Sequence, residues 1–169
     1  MKKRGVSPII GYVLLIVFAI VLGVIVYNWM RTYVPQGNLE CPDGTSLFVK
    51  DYSCNNLTLN ITLKNNGKFN VGGYFIYAAT SPGQELATKD ISPYVTDNLS
   101  RLFPNGIKFS GELNSLSPMD EETNEYNLAG FDGTVYSVEI VPIRWQKDGR
   151  LNRLVSCTAA DIKETISCG

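Results

Sequence analysis

From Val6 to Met30 the chain carries no charged residue. No other feature limits what it can fold into as strongly. As a helix, a run of this length rises about 37 Å at roughly 1.5 Å per residue, enough to cross a hydrocarbon core of about 30 Å with some tilt. Ile, Val and Leu dominate it, with Gly11 and Gly23 as small positions and Tyr12, Tyr27 and Trp29 toward its ends, where aromatic rings suit the two membrane interfaces. Pro8 falls in the first turn, where a missing N–H costs nothing. The apolar residues leave no polar face, so lipid or other helices must cover the helix all round. The two glycines do not form a GxxxG motif, and no dimer interface is read from them.

Lys2, Lys3 and Arg4 precede the run and only Arg31 follows closely. The positive-inside rule therefore places the N-terminus in the cytoplasm and the residues after 31 outside. A cleavable secretory signal fits poorly. Such signals have an apolar core of about 7–15 residues and a small-x-small cleavage site, whereas Tyr27-Asn28-Trp29-Met30-Arg31 offers none. Taken alone, the helix fits a plain single-pass anchor.

The residues before it add more. Lys2-Lys3-Arg4-Gly5-Val6-Ser7-Pro8-Ile9-Ile10-Gly11 resembles the processing region of archaeal type IV pilin-like proteins, with their class III signal peptides. The resemblance covers about the first thirty-three residues. It implies a basic leader at 1–5, a hydrophobic transmembrane and polymerisation helix at 6–33, and cleavage by a prepilin peptidase between Gly5 and Val6, with Ser7 and Pro8 just inside the mature end. Bacterial type IV pilins usually carry glutamate at the fifth mature position; Ile10 stands there in this chain, which points to the archaeal branch. Cations hold the leader at the cytosolic face because moving charge through a bilayer is costly. Cutting them away frees an apolar rod for a bundle of the same helix from other copies. The implied partners are therefore the membrane before assembly, the peptidase and pilus assembly machinery, and other copies of the chain in a surface filament.

Removing the three leader cations from the 15 Lys and Arg leaves 12 against 16 Asp and Glu, a formal charge of −4. That argues against nucleic acid as a partner. The sequence has no histidine, so the commonest general base and metal ligand are both missing. Cys41, Cys54, Cys157 and Cys168 all follow the helix, and an even count in an oxidising compartment favours disulfides over a zinc site, which would want paired CxxC spacing. Three connectivities are open; nearness in sequence favours Cys41–Cys54 and Cys157–Cys168. Sequons at Asn56, Asn60 and Asn98 are candidate glycosylation sites, the first two expected on one strand and facing the same way.

Residues 34–169 have the size of one domain. After a hinge at Val34-Pro35-Gln36-Gly37-Asn38, the alternation in Leu57–Leu63 predicts a half-buried strand, Asn65-Asn66-Gly67 a turn, and Tyr74–Ala79 the next strand. Lys108–Leu113 is a weaker strand. Thr134–Trp145 leads through Lys147-Asp148-Gly149 into Arg150–Cys157 as a hairpin, with Pro142 marking an edge or bulge. Ser117–Glu125 reads as an exposed acidic loop and Ala159–Ile166 as one helical turn. The expected fold is α+β, a long apolar helix followed by an antiparallel β-sandwich. The stretch Ile61–Tyr77 is similar to Ig-like surface domains, which bears on fold only.

No catalytic arrangement emerges: there is no nucleophile elbow and no glycine-rich phosphate loop after a strand. Gly72-Gly73 reads as a strand bend. Asp120, Glu121, Glu122 and Glu125 lack the spacing of a calcium loop and read as a solvated charge run. The expectation is a non-enzymatic structural subunit without cofactor or metal, adhesive through its displayed domain. A monomeric membrane-anchored binding module is the rival.

Overall fold

The computed structural model describes residues 8–33, 40–55, 57–97, 101–102, 105–148, 151–166 and 168. The chain divides into two compact units, Met1–Asn38 and Leu39–Gly169. The first contains α1 (Pro8–Tyr33). Pro8 opens it, and Arg31 in the last turn suits the negative end of the helix dipole. A Cβ added at Gly11 or Gly23 would meet nothing within 4 Å, so neither glycine serves close packing inside a single copy. The hinge residues 34–38 lie outside the described residues.

The second unit is built from antiparallel β-sheets. The smaller sheet has the order β1-β2-β7, with β1 at Leu47–Asn55, β2 at Thr58–Asn65 and β7 at Glu121–Asn127. The larger contains β3 (Gly73–Ala79), β4 (Lys89–Asp90), β5 (Arg101–Leu102), β6 (Gly106–Lys108), β8 (Ser137–Asp148), β9 (Leu151–Ser156) and β10 (Ile162–Thr165). Its order is β10-β8-β3-β6-β5, with β4 also on β3 and β9 also on β8. An apolar helix followed by antiparallel sheets makes the fold α+β.

Alternation explains why β2 is a strand and which way it faces. Leu59, Ile61 and Leu63 are buried while Thr58, Asn60, Thr62 and Lys64 stay half-exposed. They share a core with Tyr74, Ile76 and Ala78 of β3 and Val138 and Ile140 of β8. Each such aliphatic side chain contributes about 1.5–3 kcal/mol by leaving water. A buried polar link runs between the sheets. The hydroxyls of Tyr74 on β3 and Tyr126 on β7 lie 2.7 Å apart, and the Tyr74 ring packs on Phe109 with centroids 5.3 Å apart. Burial, above all, pushes the titration of both tyrosines well above the ordinary range, since a phenolate there would lose its hydration.

Buried Asn65 closes the β2 end. Its Nδ2 donates to the carbonyls of Phe69 and Leu116, each at 2.8 Å, while its Oδ1 accepts from the Gly67 N–H at 2.9 Å. The Asn65-Asn66-Gly67 turn thereby becomes an anchor for two further segments.

Several expectations change. Ser117–Glu125 is not simply an acidic loop, because Glu121–Asn127 forms β7 against β2. Its poor strand propensity yields to pairing and to Glu121, which meets both Lys50 and, at 3.0 Å, Lys64. Those ammonium groups, led by Lys50, hold the Glu121 carboxyl below its usual range. Lys108–Leu113 is a strand only at its start; Glu112–Asn114 is a short 3-10 turn. Ala159–Ile166 holds a 3-10 turn at Thr158–Ala160 and then β10. Pro142 is not at a sheet edge: β8 pairs β3 along one side, and on the other Pro142 falls where the partner changes from β10 to β9. No neighbour there requires an N–H from it.

The disulfides are Cys41–Cys157 and Cys54–Cys168, with Cα atoms 5.1 and 5.2 Å apart. The near-neighbour pairing is overturned by strand geometry. Cys54 sits at the far end of β1, and seven extended residues from Leu47 alone carry the chain about 23 Å. Likewise the Cys157 N–H bonds the carbonyl of Pro142 and the Cys168 N–H that of Val135. Those carbonyls are again about 23 Å apart along an extended path, far beyond the roughly 7 Å a disulfide tolerates between Cα atoms.

Candidate functional site: the apolar helix and a cleft in the β domain

Eighteen large apolar side chains of α1, from Ile9 to Met30, are all exposed. At about 1.5–3 kcal/mol each, leaving them in water forgoes on the order of 30 kcal/mol, whereas a folded domain is stable by only about 5–15 kcal/mol. The helix therefore needs an apolar surround. It is long and apolar enough to cross a membrane. Between Pro8 and Met30 there is no cysteine and no charged side chain, so the surface is one for packing, with polar groups only on Tyr12, Tyr27, Asn28 and Trp29.

Of the processing residues, Lys2, Lys3, Arg4, Gly5, Val6 and Ser7 lie outside the described residues, and Pro8 is the first of the helix. Asn56 and Asn98 also lie outside them. Asn60 sits on β2, the central strand of the smaller sheet, half-buried, with its Nδ2 donating to Ser53 Oγ at 3.5 Å. The hydroxyl of Thr62, which completes that sequon, is 2.8 Å from the hydroxyl of Thr123. The four cysteines form two bridges, and each joins the start of the β domain to its end, across 116 and 114 residues.

The β domain also holds an open cleft of about 640 Å³ that the sequence did not suggest. Its parts come from four separated segments: Asn70 and Gly72 before β3, Lys108 at the end of β6, the loop Leu113–Ser115, and Arg144, Trp145 and Asn152 on β8 and β9. Gly72 is more than a strand bend. A Cβ on it would lie 2.8 Å from Trp145 Cδ1, so the bare backbone is what lets the indole rest there, 45% exposed. Gly73, by contrast, serves the sheet: a Cβ would come 2.3 Å from the Ile107 carbonyl oxygen.

The loop wall is tightly tied. Asn114 N–H donates to the Gly111 carbonyl at 2.9 Å and Ser115 Oγ to the Glu112 carbonyl at 2.8 Å. Leu113 and Asn114 have φ of 57° and 52°, left-handed values that cost a leucine roughly 1–2 kcal/mol, and Leu113 is 85% exposed. Buried Asn65 steadies this wall through the Leu116 carbonyl and the facing one through Phe69. Such positions are ordinary loop and strand residues in sequence. The one signal available was Trp145 near the end of a strand, and indole alone does not distinguish a binding platform from core.

No protein-family model matches the chain, and no curated protein sequence matches it.

Proposed function

We propose that the chain is a structural subunit of an archaeal type IV pilus-like surface filament. In this reading it is inserted in the membrane with its N-terminus in the cytoplasm, cut between Gly5 and Val6, and polymerised through its N-terminal helices. The outer domain, of the broad Ig-like display kind, would carry surface adhesion. One observation carries the reading: an uninterrupted apolar helix, exposed on every side, directly follows a short cationic leader. A bundle of identical helices can cover that surface as well as lipid does. Two disulfides fit an oxidising, extracellular setting for the β domain.

N-terminal sequencing of the protein purified from cell-surface filaments tests it. The expected first residue is Val6, and Gly5→Leu should leave an uncut precursor. A mature protein that still begins at Met1 sinks the proposal. Val17→Asp should abolish filaments seen by electron microscopy, since a bundle core has no water for an unpaired charge.

The rival is a monomeric single-pass anchor that displays the same domain as a binding module. The cleft favours a binding role on either reading. A Gly5→Leu protein displayed and functional at wild-type levels, with no filaments in either strain, selects this rival.

A further inference from the structure

We infer that the cleft beside Trp145 is a binding site for acidic saccharides, meaning sugars that carry uronate carboxylates or sulfate esters. Three observations converge. First, the indole is a half-exposed flat platform, held in place by its seat on Gly72. A pyranose offers such a ring an apolar face of C–H groups, and a fixed aromatic gains contact area at low entropic cost. Second, the carboxamides of Asn70, Asn114 and Asn152 line the same cleft. Each amide both donates and accepts, which is what vicinal hydroxyls require. Third, among the described residues of the lining the charged ones are both cations, Lys108 and Arg144, with no Asp or Glu beside them. Neither makes an ion pair among the described residues.

That last point is specific because the chain beyond its leader is acidic, at −4. Arg144 is also pre-set, its guanidinium carbon 4.4 Å from the Phe69 ring centroid, so the planar fork is oriented before any anion arrives. Asn70 is tied to the opposite wall by an Nδ2 bond of 3.4 Å to Ser115 Oγ. The volume of about 640 Å³ falls in the usual range for small-molecule clefts, about 300–1,000 Å³. An extended apolar peptide would leave the two cations and the three asparagines of this lining unused. The site needs one copy of the chain, so it stands whether the protein polymerises or remains a lone anchor.

Isothermal titration of the full-length protein in detergent micelles tests the inference. The probes are trigalacturonate, a heparin-derived tetrasaccharide, neutral maltotriose and hexaglutamate. The acidic saccharides should bind, and maltotriose and hexaglutamate at least about tenfold more weakly, because losing either the charge-assisted bonds or the stacking removes over 1.4 kcal/mol. Trp145→Ala should weaken the acidic saccharides about tenfold, and Trp145→Tyr should restore most of that because it keeps a ring. Lys108→Gln should weaken them comparably with an unchanged melting midpoint. If Trp145→Ala melts early, Trp145→Tyr and Lys108→Gln carry the decision. The inference is overturned if no acidic saccharide binds, if hexaglutamate binds as tightly as they do, or if Lys108→Gln binds them unchanged.

Discussion

The hydroxyl pair of Tyr74 and Tyr126 gives the sharpest test of how the two sheets are held together. Both side chains are at most 1% exposed, and their oxygens are 2.7 Å apart. Tyr74→Phe removes one hydroxyl and leaves the other buried without its partner, which costs about 1–3 kcal/mol. Tyr126→Phe strands the Tyr74 hydroxyl in the same way and should cost a similar amount. The double variant removes both polar groups from an apolar setting, and should be less destabilised than the two single losses added together. A coupling of about 1 kcal/mol or more is expected for neighbours in one network. For a domain of this size each kcal/mol moves the midpoint by roughly 3–5 °C. Near-UV circular dichroism melts of the full chain in detergent would measure all four proteins. Strictly additive losses would refute a cross-sheet hydrogen bond.

The same pair sets an alkaline limit. Folding raises both phenol pKa values, so above the unfolded value of about 10 the native state holds more protons than the unfolded one. Stability is therefore complete below about pH 10 and falls as pH rises past it, by up to about 1.4 kcal/mol per unit for each tyrosine. Tyr77 is also raised, through partial burial first and then Asp90 and Glu139, but it is present in both proteins and drops out of their difference. The wild type should lose stability between about pH 10 and 12 more steeply than Tyr74→Phe/Tyr126→Phe. Parallel pH curves would contradict the burial of the pair.

Other perturbations follow from single contacts. Asn65→Asp replaces two donors by a carboxylate facing the Phe69 and Leu116 carbonyls and should cost about 3 kcal/mol or more, read as a lower denaturation midpoint. Gly73→Ala puts a Cβ 2.3 Å from the Ile107 carbonyl oxygen; it should part β3 from β6 and raise amide exchange at Ile107 and Lys108, while Gly83→Ala, strained only by its own φ of 72°, should leave both protected. Non-reducing peptide mapping should recover Cys41 with Cys157 and Cys54 with Cys168. Opening the second bridge by Cys54→Ser/Cys168→Ser should cost several kcal/mol, about 4.7 being the chain-entropy figure for a loop near 100 residues.

What could be read in advance follows physical range. The helix needed only composition, because an unbroken apolar run has the same consequence in any context. β2, β3 and the β8–β9 hairpin were legible because period-two burial and β-branched residues are written into adjacent positions. β7 was not. Glu121-Glu122-Thr123-Asn124-Glu125 has the composition of a loop, and it becomes a strand only because β2 offers it a ladder and Lys50 and Lys64 neutralise Glu121. Ala159–Ile166 failed for a similar reason: a helical turn was locally acceptable, but β8 presents an open flank that Ile162–Thr165 completes.

The disulfides and the cleft share one cause of illegibility. Each depends on residues brought together from distant parts of the chain, and nothing in a local window records which distant segments meet. Nearness in sequence is a fair guide where chain between two cysteines is slack. Here extended strands fill the intervals, so neighbours in sequence are driven to opposite ends of a strand and each cysteine meets a partner more than a hundred residues away. The same folding carries Asn70, Lys108 and Asn114 to the side of Trp145. Gly72 reads in sequence as a strand bend, and only the folded chain shows that its bare backbone is where another side chain must lie. The indole of Trp145 lies there, and that makes the Gly72→Ala protein a direct check on the seat: the added Cβ would fall 2.8 Å from Trp145 Cδ1, so the indole must move, and saccharide binding should weaken while an unchanged melting midpoint shows that the sheet beneath is intact.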